Sequence, residues 1–112
     1  MCLANALSVL LQRPEESMCE QFKALRPDPP WTDADLMVVA HKNGVHLMPF
    51  FFSFASVKYG YACKMLDIYD GILCESIPGQ VGHAIAKIGS HVPDRVLQGL
   101  TDWVFFAWTN KP

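Results

Sequence analysis

The chain has 112 residues, 51% of them hydrophobic and 18% charged, with a formal net charge of −2 and a pI near 6.0. That length suits one domain around a single core, and the composition excludes a disordered chain. No run of Lys or Arg occurs, so no electrostatic footprint for nucleic acid is present.

The longest apolar stretch, Leu47 to Val57, is interrupted by Pro49, Ser53 and Ser56 and is too short to span a bilayer. No basic region precedes the apolar N-terminal segment, as a secretory signal would require. The expectation is a cytoplasmic domain with no membrane partner.

Leu3, Ala6, Leu7, Leu10 and Leu11 repeat at helical spacing and predict a first helix, and Pro14 can only end that helix or begin the next. A second helix follows, with Glu15 and Glu16 in its first turn and Met18, Cys19, Phe22 and Leu25 on its buried face. Arg26 to Pro30 holds three prolines and breaks it. Thr32 and Asp35 form a capping-box pattern for a third helix, which buries Leu36, Val39 and Ala40 and stops at Gly44.

Val45 to Phe52 reads as a first strand. Residues 54–67 fit no single pattern. Asp70-Gly71 predicts a hairpin turn between 65–69 and 72–74, and Pro78-Gly79 marks a loop. His83 to Ile88 predicts a strand, Gly89-Ser90 a turn, and His91 to Val96 an antiparallel return. Trp103 to Trp108 predicts a last strand or a packed helix. Helices first and strands after, in one domain over 1–112, predict an α+β fold with N-terminal helices packed on a small antiparallel sheet.

Four cysteines, Cys2, Cys19, Cys63 and Cys74, have neither zinc-knuckle nor short disulfide spacing. Cys19, Cys63 and Cys74 read as small buried hydrophobes, and no metal or organic cofactor is expected. Cys2 is different, because it opens the first helix. There the positive end of the helix dipole favours a thiolate.

A histidine on a strand packed against that helix can take the thiol proton, and His83 is the candidate. Asp94, on the return arm of the predicted 83–96 hairpin, would sit about one cross-strand step from His83 and hold the imidazole tautomer. Asp102 is a second candidate for that task or the cap of a local turn. His41 suits the last turn of the third helix; His46 and His91 belong to no motif.

The segment Cys2-Leu-Ala-Asn-Ala-Leu-Ser-Val-Leu-Leu-Gln12 resembles the catalytic helix of papain-like cysteine peptidases. The resemblance is to the small papain-like and ovarian-tumour-like proteases of positive-strand RNA viruses, and to the josephin deubiquitinases. The proline-rich 26–30 loop, Trp31 and the Thr32–Leu36 helix start resemble the middle section of the viral members. Gly82-His83-Ala-Ile-Ala86 resembles their general-base strand.

The resemblance implies a papain-like fold and a polypeptide substrate, either a viral polyprotein or ubiquitin. It also implies a side-chain oxyanion donor ahead of the nucleophile. Only Met1 precedes Cys2 here, so either the hole rests on the Cys2 backbone N–H with Asn5 or Gln80 as a further donor, or the functional chain is longer and the 1–112 domain is truncated at its N-terminus.

Two rival readings stand beside it. Removal of Met1 would make Cys2 an N-terminal nucleophile whose own amine is the base. A non-catalytic, peptidase-like interaction domain would instead use its many aromatic residues, crowded after Val45, as a binding surface.

Overall fold

A computed structural model describes residues 2–61, 64–80 and 82–112 of the chain. Three helices lead: α1 (Cys2–Leu11), α2 (Glu15–Leu25) and α3 (Asp33–Lys42). Pro14 occupies the N-cap of α2, where its missing N–H costs nothing, and Glu15 and Glu16 follow in the first turn. The Thr32–Asp35 capping box is present in both directions: Asp35 N–H donates to Thr32 Oγ1 at 3.3 Å and Thr32 N–H donates to Asp35 Oδ2 at 3.0 Å.

Arg26 adds a bond to the same carboxylate at 3.1 Å, locking the proline-rich loop onto the start of α3. Gly44, at φ +75°, ends that helix in the left-handed region. Leu36, Val39 and Ala40 are buried as their spacing requires. Leu25 at the end of α2 is exposed and Cys19 is only half-buried.

The sheet contains β1 (Leu47–Phe52), β2 (Gly71–Ser76), β3 (Ala84–Lys87) and β4 (Asp102–Trp108), all antiparallel, in the order β1-β4-β2-β3. Side chains alternate between its faces. Leu47, Ile72, Cys74 and Phe106 join the core under α1, α2 and α3. Phe52, Leu73, Trp103 and Phe105 form a second core on the opposite face, together with Leu66 and Val96. The α+β class is therefore as expected, whereas the expected run of strands after the helices is interrupted. Short helices α4 (Phe54–Lys58), α5 (Lys64–Ile68) and α6 (Asp94–Leu97) lie between the strands.

Both hairpins predicted around Gly71 and Gly89 are corrected. Residues 64–68 form α5, because Leu66 is needed in the second core and the buried Lys87 ammonium donates to the carbonyls of Leu66, Tyr69 and Gly89. Gly71 opens β2 because a Cβ there would lie 2.1 Å from the Phe106 carbonyl oxygen. After Gly89, the chain does not return as a strand. Pro93 sets the helical φ and caps α6, so β3 pairs with β2 and Pro78-Gly79 is the turn that joins them.

Asp102 opens β4, paired opposite Ser76. Its Oδ1 accepts the Phe54 N–H at 2.6 Å, which caps the start of α4 from across the fold. Cys74 and partly Cys19 pack as small apolar groups; Cys63 lies outside the described residues, as do Met1 and Val81. No helix among the described residues is long and apolar enough to cross a membrane.

Candidate active site

Cys2 and His83 line one cleft of about 480 Å³, despite their separation in the chain. Three pieces of backbone bring them there. The first turn of α1 carries Cys2 and Leu3. The loop and helix start at 30–33 carry Pro30, Trp31, Thr32 and Asp33. The end of the β2–β3 hairpin carries Cys74 to Ile77, Gln80 and Gly82 to Ala84. α1 packs directly on β3, and the residues of β3 that join the core beneath it are Ala84 and Ala86. Their small side chains admit the helix closely.

His83 lies one residue before β3, at the open end of the sheet, rather than within the helix-covered strand. It is exposed, as is Cys2. The Glu75 N–H donates to the His83 carbonyl at 2.8 Å and the His83 N–H reaches Glu75 Oε1 at 3.5 Å, so the two residues face each other across the hairpin.

One wall is rigid. Trp31 is buried, stacks on Phe22 with ring centroids 4.9 Å apart, and donates its Nε1–H to the Arg26 carbonyl at 3.0 Å. The proline-rich loop therefore holds an aromatic wall beside the first turn of α1.

Two cysteines line the cleft, and their environments separate them. Cys2 is exposed at a helix start. Cys74 is buried, and burial together with the facing Asp33 carboxyl pushes its thiol far above the ordinary range. A thiol held protonated in this way is a poor nucleophile, so any thiolate chemistry in the cleft falls to Cys2. Burial in turn raises the Asp33 carboxyl, and its interaction with Cys74 offsets only part of that shift.

Of the two suggested oxyanion donors, Gln80 lines the cleft. The Asn5 amide is turned to Glu15 Oε2 at 3.4 Å. Among the described residues no three His, Cys, Asp or Glu side chains gather as metal ligands.

No family model, curated protein or solved structure matches the chain. The site must be read from its own residues.

Asp94 is where the sequence argument needs correction. The strand pairing that would bring it beside His83 does not form. Asp94 is instead the first residue of α6, exposed, and not among the residues lining the cleft.

The residue opposite His83 is Glu75, which the sequence argument passed over. Its side chain is only 4% exposed and is held by Arg95 Nη2 at 3.1 Å and Thr101 Oγ1 at 2.7 Å. Burial alone would raise this carboxyl, but the hydrogen bonds from Thr101, Arg95 and the His83 N–H outweigh it and hold the group below the usual carboxylate range. The signal was available: a hairpin folded about Gly79 pairs 75 with 83.

Proposed function

We propose that this domain is a cysteine peptidase of the papain-like kind, acting on a peptide or isopeptide bond in a polypeptide substrate of the cytoplasm. The observation that carries the reading is the shared cleft. An exposed cysteine at the first position of a helix and an exposed histidine from a distant hairpin line the same groove.

In the proposed reaction His83 takes the proton of the Cys2 thiol, and the resulting thiolate attacks the substrate carbonyl carbon. His83 gives that proton to the leaving amine as the C–N bond breaks, which leaves an acyl-enzyme. It then takes a proton from water, whose oxygen displaces Cys2 and releases the acid. Backbone N–H groups at the start of α1 and the Gln80 amide are the groups available to the oxyanion. The residue pattern from Cys2 to Gln12 and from Gly82 to Ala86 resembles viral papain-like and ovarian-tumour-like proteases and the josephin deubiquitinases. A viral polyprotein or ubiquitin is therefore the substrate to test first.

A non-catalytic interaction domain is the second reading. Phe51, Tyr59, Tyr61 and Leu100 support it, being 64%, 67%, 74% and 75% exposed.

A ubiquitin probe bearing a C-terminal electrophile separates the two. The peptidase reading expects covalent labelling that is lost in Cys2→Ala and strongly slowed in His83→Ala. Asp94→Ala tests the acid expected from the predicted 83–96 hairpin, and the geometry expects it to retain most of its labelling. If iodoacetamide at neutral pH leaves Cys2 untouched in the folded protein, the peptidase reading fails and the interaction domain is favoured.

A further inference from the structure

We propose that Glu75 is the positioning residue for His83, holding the segment that carries the imidazole against the end of β2. This inference rests on the reading of His83 as the base of Cys2.

Three observations carry it. The first is register: the Glu75 main chain donates to the His83 carbonyl at 2.8 Å, and the Glu75 carboxylate accepts from the His83 N–H at 3.5 Å. One residue therefore grips both backbone polar groups of His83. The second is close approach. Gly82 runs so near Glu75 that a Cβ on it would lie 2.2 Å from the Glu75 carbonyl oxygen, which leaves the chain no slack next to His83.

The third is how firmly the carboxylate itself is fixed. Its side chain is 4% exposed, with Arg95 from α6 on one oxygen and Thr101, just before β4, on the other. Burying a carboxylate is costly unless its lone pairs are satisfied, and an apolar side chain would fill the position at less cost to stability. What the carboxylate adds is a fixed acceptor aimed at the backbone of His83. α6 and the 99–101 turn thereby become supports of the cleft although they lie outside it.

The test uses the pH dependence of Cys2 alkylation by iodoacetamide in the folded protein, which needs no knowledge of the substrate. His83→Ala defines the rate of an unassisted thiol. Wild type is expected to exceed it at pH 6.5 and to match it at pH 9.5, where thiols ionise without help.

Glu75→Ala is expected to lose about tenfold at pH 6.5 with no change at pH 9.5, a modest misplacement of a catalytic group. Glu75→Gln keeps an acceptor for the His83 N–H and is expected to stay close to wild type. Arg95→Met and Thr101→Val, which loosen one arm each, should fall between; if Glu75→Ala does not fold, these two decide. Wild-type behaviour in Glu75→Ala, or in both arm variants, overturns the proposal while leaving the pairing of Cys2 with His83 intact. Identical rates for wild type and His83→Ala at pH 6.5 overturn the peptidase reading itself.

Discussion

Gly82 lies against Glu75 closely enough that an added methyl would come within 2.2 Å of its carbonyl oxygen and 2.9 Å of its Cβ. Neither neighbour can yield, because one is strand backbone and the other a side chain held by three donors. Gly82→Ala should therefore cost about 1–3 kcal/mol through overpacking, and it should displace His83. Urea unfolding reads the first effect, and slowed alkylation of Cys2 at pH 6.5 reads the second. Gly79→Asn is the control, since Gly79 has φ +71° with open space around it and Asn tolerates that conformation.

Gln80 and Asn5 should part company. Gln80 faces the cleft while Asn5 is engaged with Glu15. Gln80→Ala should slow hydrolysis of a fluorogenic ubiquitin substrate by ~100-fold if its amide is an oxyanion donor, and Asn5→Ala should leave turnover near wild type. The reverse order would reassign the donor.

Lys87 is 1% exposed, and its ammonium spans the carbonyls of Leu66, Tyr69 and Gly89 above the Phe105 ring. Burial lowers its pKa, with Asp70 and Asp67 opposing. Lys87→Met keeps the aliphatic stem and removes the donor, leaving three carbonyls unpaired. A stability loss of about 1–3 kcal/mol is expected, measured by chemical denaturation, and hydrogen exchange should rise first in α5.

Acid should destabilise the fold. The Arg26 guanidinium and the Thr32 N–H hold Asp35 below the ordinary carboxylate range. At Asp70 burial pushes upward, but Lys111 and the Gly89 N–H prevail and the net direction is again down; Glu75 behaves likewise. A carboxylate whose folded pKa is depressed contributes stability that is fully present above its unfolded value, about 4, and is lost as pH falls through the folded value. Asp33, shifted upward, acts in the opposite sense and is relieved by protonation. With three against one, the urea midpoint should drop steadily below about pH 4, and Arg26→Met should flatten the share due to Asp35.

The helical half was the legible half of the sequence. Pro14, the Thr32–Asp35 box and Gly44 are local signals, and each helix boundary they mark is where the structure has it. The sheet was less legible because its pairings are decided by distant residues. Nothing local to 64–68 reveals that a lysine at 87 will satisfy the carbonyls of a five-residue helix there. At 91–96 the antiparallel return expected after Gly89-Ser90 yields to Pro93, which precedes the first residue of α6. Cys2 and His83 could be singled out by residue type and context, whereas Glu75 becomes visible only once the turn at Pro78-Gly79 is taken as the hairpin and the register is counted outward from it.

β4 sits between β1 and β2, and those two strands share no hydrogen bonds with each other. The segment that bridges the sheet is thus its last to be synthesised. Until residues 102–108 have left the ribosome, β1 has nothing to pair with and the second core lacks Trp103 and Phe105. Before then β2 has β3 as its sole partner in the sheet, so the hairpin that lines the groove beside α1 is braced on one side only.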